Sequence, residues 1–203
     1  MRTYILPLLL GLALTACDST DPLAPEDEPP QTMMASDIPA DPIVGLSGGR
    51  PVGAGIITYY SLRTHSIVSD SASTAWDIAL QGTTIYVNGG SSGPGQGAAQ
   101  VLTGTFEEIT EAPAAGYAAD SEGGLAIPTG SGNGWYNYNP ANQTVTPIPG
   151  RVLVVRAADG QSYAKIRILS YYRGAPAEIT SESESRYYTF EYVLQADGSR
   201  SFD

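Results

Sequence analysis

The chain has 203 residues, a formal net charge of -11, 42% hydrophobic and only 15% charged residues, one cysteine and one histidine. Ten basic residues against 21 acidic ones cannot form the clustered cationic surface that neutralises phosphates, so nucleic acid is excluded as a partner. A single cysteine excludes an internal disulfide framework, and with one histidine it cannot complete a tetrahedral zinc site.

In chain order, Met1-Arg2-Thr3, an apolar run from Tyr4 to Leu14 and Thr15-Ala16-Cys17 have the basic, apolar and small-residue regions of a secretory signal. The run is too short for a permanent membrane helix of about 20 residues, so the chain is expected to be exported. Leu14-Thr15-Ala16-Cys17 resembles the bacterial lipobox, where cleavage precedes a cysteine that then carries lipid. The only cysteine stands at that position, which makes Cys17 the expected lipidation site and residues 1–16 a lipoprotein signal peptide. The alternative is an ordinary signal peptide with an incidental cysteine. Several acyl chains, as the lipobox implies, exceed what stable membrane anchoring needs.

Residues 18–51 hold seven prolines, seven acidic residues and no aromatic residue. Such a stretch buries too little apolar surface to offset its ordering entropy. Residues 17–51 are therefore read as a lipidated, acidic, disordered tether, and residues 52–203 as the folded domain. Asp18, Asp21, Glu26, Asp27 and Glu28 are either a sorting signal or a solvated spacer.

Within the domain, 23 glycines, 15 prolines and 13 tyrosines across the chain favour strands and turns over helices. Gly55–Arg63, Thr74–Gln81, Thr83–Val87, Gln100–Ile109, Arg151–Ala157, Ser162–Tyr172 and Tyr187–Leu194 read as strands. The fold class expected is all-β: a single antiparallel domain with long loops. Alternation predicts Ile166 and Ile168 on the core side and Lys165 and Arg167 toward water. Asp159-Gly160 and Asp197-Gly198 are hairpin candidates, because Asp and Gly tolerate positive φ. Asn88–Gly97 reads as a flexible loop and 111–134 as a long irregular connection.

Nucleophilic catalysis would have to use His65, the only imidazole. Gly-x-Ser-x-Gly occurs at 45–49 and 89–93. Neither opens a helix, and His65 precedes the second match, the reverse of nucleophile-elbow order. Glu107-Glu108 and Glu182/Glu184 read as solvated faces, so no enzyme is expected. Among the aromatics, Trp135-Tyr136-Asn137-Tyr138 and the doublets Tyr59-Tyr60, Tyr171-Tyr172 and Tyr187-Tyr188 supply walls for a flat apolar ligand or a sugar face. Neighbouring rings on a strand point to opposite faces. Trp76 reads as ordinary β-core.

The order Trp76-Asp77-Ile78-Ala79, Asn88-Gly89-Gly90, Trp135-Tyr136, Thr146-Pro147-Ile148-Pro149-Gly150 and Lys165-Ile166-Arg167-Ile168-Leu169-Ser170-Tyr171-Tyr172 resembles the HmuY family over roughly residues 55–202. The resemblance implies an all-β lipoprotein on the outer membrane or cell surface, at its periplasmic or external face, of the Bacteroidetes lineage. It also implies haem as cofactor and a TonB-dependent outer-membrane receptor as partner, beside the membrane reached through the lipid. The family's best-known member holds haem iron between two histidines, and relatives use methionines. This chain has one histidine, and Met1, Met33 and Met34 precede the domain as read here, so no paired site is expected. The candidates for haem or ligand contact are His65, Trp135, Tyr136 and Tyr138, with iron held by His65 alone or by a tyrosinate at Tyr136 or Tyr138. The function expected is a haem-binding or haem-acquiring surface lipoprotein. The alternative is a non-haem adhesion or assembly module for protein or glycan.

Overall fold

The structure is a computed structural model that describes residues 30–203. Cys17, residues 1–16 and the first part of the expected tether lie outside the described residues. The described chain forms thirteen strands and no helix. They are β1 (Thr32–Pro39), β2 (Ile43–Ser47), β3 (Arg50–Gly53), β4 (Thr58–Ser61), β5 (Ser66–Val68), β6 (Ile78–Gln81), β7 (Thr84–Val87), β8 (Ala98–Thr103), β9 (Tyr136–Asn139), β10 (Thr144–Pro147), β11 (Arg151–Arg156), β12 (Tyr163–Tyr172) and β13 (Ser185–Gln195). A five-stranded sheet runs β1-β13-β12-β11-β8 and a four-stranded sheet runs β5-β4-β6-β7, with separate hairpins β2-β3 and β9-β10. Every strand pair is antiparallel, as the all-β expectation requires.

Period-two alternation divides the large sheet between two apolar layers. Leu153, Val155, Ala164, Ile166, Ile168, Tyr188, Phe190 and Tyr192 meet Tyr60, Ile78, Leu80, Ile85 and Val87 of the small sheet in one core. The opposite face carries Val152, Val154 and Val193, covered by Phe106, Ala112 and Phe202. Each of the larger side chains stabilises the fold by about 1.5–3 kcal/mol on burial.

This second layer corrects the expectation for Lys165. The chain's only lysine is 5% exposed and donates to the carbonyls of Phe106 and Ile109, each at 3.0 Å. Its ammonium stands 4.6 Å from the Phe106 ring centre and 5.5 Å from that of Phe202. Alternation put it on the face away from Ile166, but a loop and the C-terminal segment shut that face off from water. Arg167 keeps contact with solvent and pairs with Glu191 and Glu107. Asp159-Gly160 does turn β11 into β12. After Asp197-Gly198 the chain reverses without forming a partner strand for β13; Ser201 instead bridges Glu111, and the Phe202 amide donates to the Thr110 carbonyl at 2.8 Å.

Most of residues 32–51, read as tether, lie in the strands β1, β2 and β3. β1 pairs with β13 from Thr32↔Val193 to Pro39↔Tyr187, and Ala35, 2% exposed, lies opposite Phe190. Composition missed β1 because its partner lies about 150 positions downstream, and the apolar surface that rewards its ordering belongs to β13. Met33 and Met34 are thus part of the folded domain. Being consecutive on one strand they face opposite sides, Met33 opposite Tyr192 and Met34 opposite Glu191, so the two cannot converge on one iron.

Removing β1 bares the edge of β13 and the core beneath Ala35. A chain beginning at residue 52 is expected to melt below one beginning at residue 30 and to self-associate through the unpaired edge. Thermal unfolding with light scattering checks this, and equal melting points would show that β1 adds no stability.

Candidate functional site

The turn from β4 to β5 carries His65 at a φ of 51°, a left-handed conformation that histidine tolerates better than most bulky residues. Hydrogen bonds hold the turn from beneath. The Leu62 amide donates to Oδ2 of Asp77 at 2.8 Å, and the Ala158 amide donates to Oδ1 at 3.1 Å. Burial pushes the Asp77 carboxyl above its ordinary range against the downward pull of the Ala158 and Leu62 amides. Next to it, the Arg63 guanidinium reaches Asp159 at 2.5 Å. Burial resists ionisation of Asp159, but bonds from Ser162 and Gln161 and the Arg63 charge hold its carboxyl below its ordinary range.

The Leu62 carbonyl accepts the Tyr192 hydroxyl at 2.9 Å, and that phenol oxygen lies 2.8 Å from Nδ1 of His65. A carbonyl can only accept, so it takes the single Tyr192 proton, and the phenol oxygen must accept from Nδ1–H of His65. The neutral imidazole therefore carries its proton on Nδ1 and a free lone pair on Nε2. Such outer-partner bonding is how metal-binding histidines are oriented. Tyr192 also stacks on the imidazole, ring centres 5.9 Å apart, and Tyr60 meets it edge-on at 6.1 Å. Burial, with Tyr60 beside it, pushes the Tyr192 phenol above its ordinary range, so it remains the neutral hydroxyl this arrangement needs.

The other expected contacts are elsewhere. Trp135 is 2% exposed, donates Nε1–H to the Thr83 carbonyl at 3.0 Å and packs against Tyr136, Tyr171 and Tyr188. The Tyr136 hydroxyl accepts from Thr83 Oγ1 at 3.3 Å. Tyr138 is exposed on the β9-β10 hairpin. Tyr188 beneath Trp135 and Tyr192 beneath His65 are four positions apart on β13, about 13 Å along a strand. The structure thus brings Trp135 and Tyr136 together in the core and separates them from His65. Tyr171 and Tyr172 are both buried in that same core, because a register shift between Ser170 and Tyr172 interrupts the alternation expected of a doublet.

The glycine-rich stretch 88–97 is built rather than loose. Asn88 is fully buried; its Nδ2 donates to the Ser73 and Trp76 carbonyls at 3.0 and 2.8 Å, and its Oδ1 accepts from the Gly95 amide at 2.9 Å. A Cβ on Gly93 would lie 2.6 Å from the Trp76 ring, so close packing against the indole requires glycine there. Asp120, 2% exposed, accepts from the Val87 and Ala126 amides at 3.0 and 2.8 Å and pins the long connection to the same end of the small sheet.

This arrangement makes a feature that strand-by-strand reading missed. On the outer face of the small sheet Tyr59, Ala79 and Tyr86 are cross-strand neighbours. Together with Trp76, Ser91 and Ser92 they line a cleft of about 260 Å³. A large-small-large row over three strands was visible only with the register in hand.

A family model described as HmuY protein matches residues 56–192, more than half of the chain. A search of curated proteins returned no match.

Two outcomes test this geometry. Asp77→Ala leaves two buried amides unpaired at about 1–3 kcal/mol each and is expected to lower unfolding free energy by about 2–4 kcal/mol in denaturant titrations. Nitrogen NMR of the single histidine is expected to show the Nδ1-protonated tautomer, reverting in Tyr192→Phe to the Nε2–H form that free imidazole prefers.

Proposed function

The chain belongs to the HmuY family, a family of haem-binding proteins and not of enzymes, and we propose that it is a non-catalytic, exported lipoprotein that binds haem through one protein donor, Nε2 of His65. The observation that carries this reading is the bond from Nδ1–H to Tyr192, which leaves the Nε2 lone pair free on an exposed turn. When bound, haem would offer its iron to such a nitrogen.

The donors present would hold the iron through one protein nitrogen, that of His65, and not through a pair. No second histidine exists, Tyr136 is buried with its hydroxyl engaged, and Tyr138 is on a separate hairpin. In this reading His65 provides the nitrogen, Tyr192 fixes its tautomer, and the Asp77-Leu62 bond sets the height of the turn. A single exposed donor suits loading and release over tight storage, as hand-over to an outer-membrane receptor requires. The lipid anchor at Cys17 and a position at the cell surface or the periplasmic face of the outer membrane complete the proposal. Its support is the lipobox-like segment and the family. No helix among the described residues is long and apolar enough to cross a membrane.

Ferric haem titrated into the full chain in detergent is expected to give a weak Soret shift of single-imidazole type that disappears in His65→Ala. A sharp bis-histidine spectrum from the monomer, or an unchanged shift in His65→Ala, would overturn the assignment.

A further inference from the structure

We propose that the cleft between Tyr59 and Tyr86 is a binding site for one neutral sugar ring. The site is distinct from His65 and does not depend on the haem reading.

The argument begins with register. Tyr59 pairs with Ala79 and Ala79 with Tyr86, so the two tyrosines stand two strand spacings apart, about 9.5 Å. That is roughly twice the contact distance between apolar surfaces of about 4–4.5 Å, the separation that sandwiches a single ring. Ala79 keeps the floor open where any longer side chain would fill it. Trp76 closes one end, edge-on to Tyr59 at 4.9 Å, with its Nε1–H already given to the Ser71 carbonyl at 3.0 Å. The indole, fully buried, is thereby a fixed apolar backing behind Tyr59. The cleft holds about 260 Å³, below the ~300–1,000 Å³ of pockets for drug-sized ligands, which again limits the occupant to one ring.

The polar groups select among flat ligands. Ser91 and Ser92 line the mouth, and their hydroxyls, like that of Tyr59, make no hydrogen bond within the described residues. A purely apolar ring would strip water from these hydroxyls without replacing it, at a cost. A pyranose offers its C–H face to the aromatic walls and its own hydroxyls to the rim. The mouth is also positioned for this: the Ser91 amide donates to the Asp120 carbonyl at 2.8 Å, so both serines are held on a braced segment. No arginine or lysine lines the cleft. Burial and the nearby Asp120 charge push the Tyr86 phenol above its ordinary range, a negative local field that disfavours acidic sugars. The chemistry points to a neutral, unmodified or N-acetylated hexose, as a terminal residue of a glycan.

The test is saturation-transfer NMR on the full chain in detergent with D-glucose, N-acetyl-D-glucosamine and D-glucuronate as probes. Transfer to the ring C–H protons of at least one neutral sugar is expected, and weaker transfer to glucuronate. Tyr86→Ala and Ala79→Leu are each expected to lower affinity tenfold or more. The pair Ser91→Ala/Ser92→Ala removes only hydroxyls from the surface, keeps the walls, and is expected to lower it several-fold, which keeps the test open if a wall variant misfolds. Absence of transfer to either neutral sugar, equal transfer to glucuronate, or undiminished transfer in all three variants overturns the proposal. Indole binding in the cleft in place of both neutral sugars also overturns it. The haem titration reads His65 and the saturation transfer reads the cleft, so either reading fails without the other.

Discussion

A buried carboxylate joins the two sheets and sets everything above it. Asp77 receives the Leu62 amide from the β4-β5 turn and the Ala158 amide from the start of the β11-β12 turn. Through Leu62 the hydrogen bonding continues to Tyr192 and on to Nδ1 of His65. A residue at the entry to β6 of the small sheet thereby determines which nitrogen of an exposed imidazole is free. Burying a carboxylate is costly unless its oxygens are satisfied, and here both are, by backbone amides that cannot be repositioned without moving a whole turn. The tautomer of His65 is therefore a property of the fold and not of the local turn alone.

Around that tie, the large sheet works as a partition between two apolar layers. The inner layer meets the small sheet; the outer is roofed by the segment around Phe106 to Ala112 and by Phe202. Lys165 holds the roof by bonding to two of its carbonyls. The charge is tolerated at that depth because aromatic faces and backbone oxygens surround it, and burial lowers the ammonium from its ordinary range against the opposing pull of Asp203 and Glu107. Asp120 does the equivalent work within the long connection, where its carboxylate and its backbone oxygen together brace β7, Ala126 and Ser91. The connection is irregular but fastened at Ala112 and at Asp120, which allows its neighbour, the glycine-rich stretch, to form a stable rim beside Trp76.

Strand positions were legible wherever β-branched and aromatic residues alternate between turn residues. β4, β6, β7, β11 and β12 fall within the expected runs, β8 and β13 overlap theirs, and the Asp159-Gly160 turn lies where its positive-φ chemistry places it. Local pattern failed where the stabilising partner is remote. β1 has no aromatic residue and only Thr32 and Ile38 as β-branched residues, and its order comes from β13. Lys165 alternates as a solvent-facing residue should, and a distant loop covers it. Tyr171 and Tyr172 share one core because an irregularity at Ser170, invisible in composition, breaks the alternation. Of the expected contact residues, His65 was singled out by being the only imidazole, whereas Trp135 and Tyr136 were drawn in by aromatic character that serves packing.

The sequence by itself determined the class of fold, the absence of a second histidine and hence of a paired imidazole site, and the family to which the order of motifs belongs. The first two follow from composition, alternation and turn chemistry, which act over a few residues; the family rests on the resemblance carried by the order of motifs. Tertiary structure alone decided that Met33 and Met34 lie on the domain and face apart, that Nε2 is the free nitrogen of His65, and that Tyr59, Ala79 and Tyr86 form one cleft. Each of these depends on strand register or on hydrogen bonds between residues up to about 150 positions apart, and no local pattern encodes which strand will lie beside which.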